Sequence, residues 1–135
     1  MFGDRQSEVK NILVTLDTTQ NVVDEALDKE CNLIVSYHTI IFNDLKKITT
    51  DSGYVQKSII KAVKNNISVY AIHTSLDNHP EGISYFLSNK IELKNTSILI
   101  QKTNENINLK IGMDIKGELT EPMEEKDFFD ILKDK

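Results

Sequence analysis

The sequence has little cysteine, proline, glycine and arginine, and each scarcity excludes a class of protein. Cys31 is the only cysteine in 135 residues, which excludes an internal disulfide framework and a cysteine-rich zinc site. With two prolines and five glycines, the chain has no composition typical of an interdomain linker. Arg5 is the only arginine among 16 basic residues, and 21 acidic residues bring the net charge to −5. The basic surface and arginine clusters of nucleic-acid-binding proteins are therefore absent.

Long apolar runs are missing as well. The longest have four or five residues, whereas a membrane-spanning helix needs ~20. The segment 1–9 also has no apolar core of the kind found in a signal peptide. We therefore predict a soluble cytoplasmic protein that has no membrane partner and no nucleic-acid partner.

The sequence does contain a regular alternation of apolar runs and helical stripes. Runs rich in β-branched residues predict strands at 12–16, 33–36, 67–72, 96–101 and 107–115. Stripes at helical spacing predict helices after Thr18 or Thr19, at 54–64, at 80–90 with Pro80 in the first turn, and at 124–132. Strands separated by helices of about ten residues indicate βαβ units. We predict one α/β domain over residues 1–135, with a mixed, mainly parallel sheet flanked by helices, and helices on both faces of the first three apolar strands.

Polar side chains follow the first three predicted strands. Asp17 follows the first strand, His38 the second, and His73 and Asp77 the third. Ligands of parallel sheets bind beyond the carboxyl ends of the strands. Imidazole and carboxylate are the usual protein ligands of zinc, iron or manganese. The spacing of His73 and Asp77 allows both side chains to reach one ion.

The residues alone leave a structural role open for each of these side chains. The alternative for His38 is a loop histidine hydrogen-bonded to the backbone, and for His73 a helix-cap partner or a group that supports the ligands. Asp77 alternatively caps the helix that follows it, and Asp17 caps or orients the first turn after a strand. Tyr37 is open to packing or to hydrogen bonding.

Two segments carry a family resemblance. The segment 33–42, LIVSYHTIIF, is similar to a motif that ends in Ser-His-His-Pro followed by an apolar residue, Ile and Phe. The segment 69–78, VYAIHTSLDN, is similar to a Tyr-Ala-x-His-Thr-Asn-Leu-Asp signature. With the first βα unit at 14–26, these segments resemble the GTP cyclohydrolase I type 2 homologues, or Nif-three-like proteins, over most of the chain.

The resemblance implies a Nif-three-like fold, a toroidal homohexamer and a dinuclear centre of divalent metal ions, with zinc, iron or manganese as candidates. By their positions in the two motifs, His38 and Asp77 would be metal ligands. His73 would be the catalytic residue near the metals, where it orients or relays a proton. The implied activity is metal-dependent hydrolysis of a nucleotide or phosphate ester. The alternative is a non-catalytic metal-binding or oligomerisation module.

This sequence departs from the family pattern at three points. Tyr37 stands in place of the first histidine of the pair, and tyrosine is a poor zinc ligand at neutral pH because its pKa is about 10. Thr39 replaces the usual proline. A His-x-x-x-Glu pair, which completes the metal site in the family, is absent from this sequence. We therefore expect the chain to correspond to the N-terminal lobe of a two-lobed protein, to bind metal weakly, and to self-associate through exposed apolar surface.

Overall fold

The N-terminal half is a parallel sheet with two helices. The computed structural model describes residues 1–103 and 109–134 and divides into two compact units, Met1–His73 and Thr74–Lys135. In the first unit, three strands lie side by side in chain order and all run parallel. Its elements are β1 (Ile12–Thr15), α1 (Gln20–Asp28), β2 (Leu33–Ser36), α2 (Tyr54–Lys64) and β3 (Ser68–Ala71). The predicted α/β fold, with a parallel sheet flanked by helices, is confirmed.

The two helices begin at different kinds of cap. Thr19 caps α1, because its Oγ1 accepts a hydrogen bond from the backbone N–H of Val22 at 3.3 Å. Gly53 precedes α2 and provides no side-chain cap. The α2 helix has the predicted bounds, and Asn66, which follows its end, has a φ of 56°. Asparagine tolerates this left-handed conformation better than most residues, which suits a helix end.

The core lies between one face of the sheet and the two helices. Ile34 of β2 is 0% exposed and Val69 of β3 is 2% exposed, and both pack in one cluster of buried side chains. The helices contribute Val23 and Ala26 from α1 and Ala62 from α2. Cys31 is buried at the edge of the same cluster, as expected for a small apolar side chain.

The opposite face of the sheet is open at β1. Side chains alternate along a strand, so Ile12 and Val14 face away from the core while Leu13 packs against it. Val14 is 77% exposed, and Tyr70, which shares its face through the register, is 42% exposed. The prediction that helices cover both faces is therefore wrong at this edge. An apolar strand composition is typical of strands buried on both faces. It does not show that the same chain supplies helices for both faces.

The second unit combines short helices with an antiparallel pair of strands. Its elements are α3 (Thr74–Asp77), α4 (Ile83–Lys90), β4 (Lys94–Lys102), β5 (Ile111–Glu118) and α5 (Glu125–Asp134). The strands β4 and β5 pair with each other, with a register shift between residues 94 and 97. The strand predicted at 107–115 corresponds to β5, and its first two residues lie outside the described part. None of the helices described is long and apolar enough to cross a membrane.

The predicted start of α4 needs a correction. Pro80 does not occupy the first helical turn, because α4 begins at Ile83 after Gly82. The backbone N–H of Gly82 donates to the carbonyl of His79 at 2.8 Å, which closes a turn before the helix. A Cβ at Gly82 would overlap the carbonyl oxygen of Leu76 and lie 2.9 Å from that of His79. Only glycine fits this approach, so the turn and not the proline determines where α4 starts.

Candidate functional site

The predicted site residues of the first unit lie where the three parallel strands end. The hydrogen-bond ladder continues past the strands, with His38 N–H donating to the carbonyl of Leu16 at 2.9 Å. In the same way, His73 N–H donates to the carbonyl of Tyr37 at 2.9 Å. These bonds hold the backbone of both histidines in register with the sheet. Because the strands are parallel, their carboxyl ends meet at one edge, and the site is built there.

Asp17 and His38 form the most specific contact of this edge. Oδ1 of Asp17 lies 2.8 Å from Nδ1 of His38. An ionised carboxylate only accepts hydrogen bonds, so Nδ1 is the donor, and in the neutral form of the imidazole Nε2 is then the nitrogen with the lone pair. The side chains of His38 and Asp17 are 48% and 55% exposed, and even a fully charged pair this exposed would add only about 0–1 kcal/mol to stability. The contact therefore orients the imidazole more than it stabilises the fold.

Two hydroxyl groups of the strands bind the backbone of this pair. Ser36 is 0% exposed, and its Oγ donates to the carbonyl of His38 at 2.8 Å. On the neighbouring strand, Oγ1 of Thr15 donates to the carbonyl of Asp17 at 3.1 Å. Each bond ties the residue after a strand back to the strand itself. The positions of both partners are thus fixed by the sheet.

The rings of Tyr37, His38 and His73 lie close together, each next to the other two. The Tyr37 ring centroid is 4.8 Å from that of His38 and 5.6 Å from that of His73, against which it stacks at an interplanar angle of 27°. The two imidazole centroids are 6.2 Å apart. His73 has a φ of 41°, a left-handed conformation that costs a non-glycine residue about 1–2 kcal/mol. Five other non-glycine residues of the described part have a positive φ, so this conformation alone does not mark a functional position.

Asp77, the second predicted ligand, lies in the second unit. It is half-buried and is the last residue of α3. The alternative in which Asp77 caps the following helix is wrong, because Gly82 precedes α4 and no side chain caps it. His38 and His73 are thus brought together by the first unit, while Asp77 is presented by a separate helical turn.

The role of Asp17 is not evident from its neighbours along the chain. The expected alternative was a cap or an orienting residue of the first turn, but Thr19 is the cap and Asp17 contacts His38 instead. One signal was available, since adjacent parallel strands place the residues after their ends side by side. The contact between Asp17 and His38 follows from that rule once β1 is known to pair with β2.

The donor set of the described residues is incomplete for a lasting metal site. Residues 1–103 and 109–134 contain no group of three or more His, Cys, Asp or Glu side chains that could hold a metal ion. Structural and catalytic zinc sites have three or four protein ligands. The geometry does fit one part of such a site: an exposed imidazole whose far nitrogen is bound by a carboxylate, the usual arrangement of a metal-binding histidine.

The family follows from comparison with known sequences. A family model described as Duf34/NIF3 (NGG1p interacting factor 3) matches residues 1–135. The chain belongs to this family. A Duf34/NIF3 relative from Clostridium acetobutylicum, a GTP cyclohydrolase 1 type 2 homolog, is 39% identical over 134 residues, which are 99% of this chain and 49% of the relative. A relative of the same name from Bacillus subtilis is 41% identical over 98 residues, 73% of this chain and 26% of the relative. The chain thus spans half or less of the length of these family members.

Solved structures agree with this assignment to the Duf34/NIF3 family. A Staphylococcus aureus hypothetical protein, SA1388, superposes with a TM-score of 0.86 at 26% identity, covering 99% of this chain and 55% of that one. A Bacillus cereus protein related to NIF3 superposes with a TM-score of 0.71 at 38% identity, covering 76% and 28%. The fold of HcgD from Methanocaldococcus jannaschii is also similar, with a TM-score of 0.76 at 22% identity over 98% of this chain and 48% of HcgD. The resemblance seen in the two sequence motifs is confirmed.

Proposed function

We propose that this chain is a divalent-metal-binding member of the Duf34/NIF3 family, and that its site serves hydrolysis of a nucleotide or phosphate ester. The observation that carries the proposal is the contact between Asp17 and His38 at 2.8 Å. With Nδ1 bound to the carboxylate, Nε2 of the half-exposed His38 side chain is the nitrogen that would coordinate a cation. Zinc, iron or manganese suits this donor chemistry. Asp77 would be the second ligand, by its place in the family motif.

Each side chain then has a distinct role. Asp17 holds the imidazole of His38 in the tautomer that can bind a cation. His73, next to Tyr37, is placed to orient the substrate or to relay a proton. When bound, a divalent ion supplies Lewis acidity, which lowers the pKa of water and neutralises charge on a phosphate ester.

An apolar groove adjoins this edge and offers room for the organic part of a substrate. It begins at Thr39, directly after His38, has a volume of about 400 Å³, and is lined by Ile40, Phe42 and Tyr54 among others. Apolar grooves with a few polar groups at one end are typical of small-molecule sites.

The second candidate function is a metal-binding or oligomerisation module without catalysis. It is favoured by the incomplete donor set of the described residues and by the open apolar face at Val14. In both cases we propose a cytoplasmic chain that self-associates, as a homohexamer by family resemblance.

Metal titration tests the first proposal. We expect calorimetry to detect zinc or manganese binding, loss of binding in His38→Ala, and a roughly 10–100-fold weaker affinity in Asp17→Asn, which keeps the shape but removes the carboxylate behind the ligand. His79→Ala is the matched control, because His79 is an exposed histidine of the second unit. Equal binding in the His38 and His79 variants would contradict the proposal. Metal binding without turnover of a generic phosphate ester would favour the module.

A further inference from the structure

A basic groove lies beside α2, in the first unit. It has a volume of about 260 Å³ and runs from Gln20, the first residue of α1, along the lysine-bearing side of α2. Its polar lining consists of Gln20, Thr50, Lys57, Lys61, Lys64 and Asn65. The three lysines lie at i, i+4 and i+7, so they share one side of the helix. This is a local concentration of positive charge in a chain whose net charge is −5.

The groove has fewer carboxylates than ammonium groups. Lys61 forms an ion pair with Asp24 of α1. The Thr49 side chain and, more weakly, the Lys57 ammonium hold the pKa of Asp51 below its ordinary value. Lys64 forms no ion pair with any residue of the described part. The groove therefore keeps an excess of positive charge after its own acidic neighbours are counted.

The start of α1 adds to this positive field. No acidic side chain lies in the first turn of α1, so the positive end of its helix dipole is not offset by the chain itself. The groove and the helix start thus favour the same ligand chemistry, an anion.

We propose that this groove binds the phosphate group of a small phosphate-bearing molecule. A volume of about 260 Å³ is below the ~300–1,000 Å³ of pockets for drug-sized ligands, so it suits a diphosphate better than a large ligand. Lysine ammonium groups bind phosphate as point charges, without the fork geometry of arginine. The site does not depend on the metal proposed at His38.

Titration of the full 135-residue chain with inorganic pyrophosphate tests this site. Chelator is present in every sample, so that a metal ion at His38 does not contribute. We expect saturable shifts of the backbone amide signals of Gln20 and Asn21 by NMR, and a dissociation constant by calorimetry. Phosphate and a nucleoside monophosphate, titrated in parallel, distinguish a free diphosphate from a phosphate carried by a larger molecule.

Matched lysine variants show whether pyrophosphate binds in the groove or is attracted by positive charge anywhere on the surface. Lys61→Ala and Lys64→Ala should each weaken pyrophosphate binding about two- to fivefold, the range of one exposed charge contact. Lys29→Ala is the control, because Lys29 is also an ion-paired lysine, with Glu25 at 3.1 Å, and lies outside the groove. Asp24→Asn should strengthen binding, since it releases Lys61.

Three results would overturn the proposal. These are no saturable shift with any of the three probes, equal weakening in Lys29→Ala and Lys61→Ala, and weaker binding in Asp24→Asn. Circular dichroism of each variant confirms that it is folded, and the glutamine variant at the same lysine replaces any alanine variant that is not. Loss of metal binding in His38→Ala should leave pyrophosphate binding unchanged, so the two proposals fail independently.

Discussion

The two units of the chain differ in how they use their apolar residues. Every buried hydrophobic side chain of the described part lies in the first unit, where Ile34 and Val23 are 0% exposed. In the second unit the apolar side chains of the strands and of α5 stay accessible, with Leu99 at 55% and Phe129 at 49% exposed. Both units contain apolar side chains, but only in the first unit do they form a buried core within the described residues.

This difference explains where a site can be held precisely. The core of the first unit fixes β1, β2 and β3, and the ladder beyond them fixes Asp17, His38 and His73. The second unit, which carries Asp77, lacks a comparable core within its described residues. Amphipathic elements that remain exposed gain stability when another surface covers them. We therefore expect the second unit to depend more on further contacts than the first.

Truncating one isoleucine in each unit should produce the largest contrast. Ile34→Ala removes a fully buried side chain and should lower the free energy of unfolding by about 2–5 kcal/mol. Ile100→Ala removes a side chain that is 53% exposed and should cost less than about 1 kcal/mol. Urea unfolding followed by circular dichroism measures both. Equal losses would mean that the second unit has a core of its own.

A pair of glycine variants should give the next largest contrast between the units. Gly82→Ala brings a Cβ against the backbone carbonyls of Leu76 and His79, and overpacking of this kind costs about 1–3 kcal/mol. Gly53→Ala, at the N-cap of α2, meets nothing within 4 Å and should cost less than about 1 kcal/mol, only because alanine is a poorer cap than glycine. Amide hydrogen exchange in α4 reports the first effect. Normal protection of α4 in Gly82→Ala would contradict the tight turn.

Much of the first unit could be predicted from the sequence because its signals are local. Apolar runs and helical spacing identify β1 to β3 and α2, whose bounds match the prediction at 54–64. The glycine turn before α4 could not be predicted, since it arises from the close approach of backbone atoms. The contact between Asp17 and His38 can be predicted only once β1 is known to pair with β2, because the two residues are distant along the chain. For the same reason, the relation of Asp77 to His38 depends on tertiary placement and not on spacing.

The open sheet face of the first unit leads to a smaller prediction about self-association. Val14 is 77% exposed, and Val14→Thr keeps the shape of its side chain but makes it polar. We expect self-association to weaken by up to about tenfold, which corresponds to the free energy of removing one valine side chain from water. Val63→Thr is the control, because Val63 is 52% exposed but lies on α2. Sedimentation velocity compares the two. A wild-type chain that sediments as a monomer would contradict the proposal that the open sheet face at Val14 mediates self-association.

The helix caps give the smallest effect and test whether the first unit is already optimised. Thr19→Ala removes the hydroxyl that accepts from Val22 N–H, and should cost about 1 kcal/mol. Gly53→Ser supplies the missing cap of α2 and should gain only a few tenths of a kcal/mol, since glycine is itself an acceptable cap. Both changes are read from the urea midpoint at constant slope. Thr19→Ala could lower the free energy of unfolding while Gly53→Ser leaves it unchanged. The start of α2 would then be stabilised by the packing of buried Ser58 and Ile59 and not by its cap.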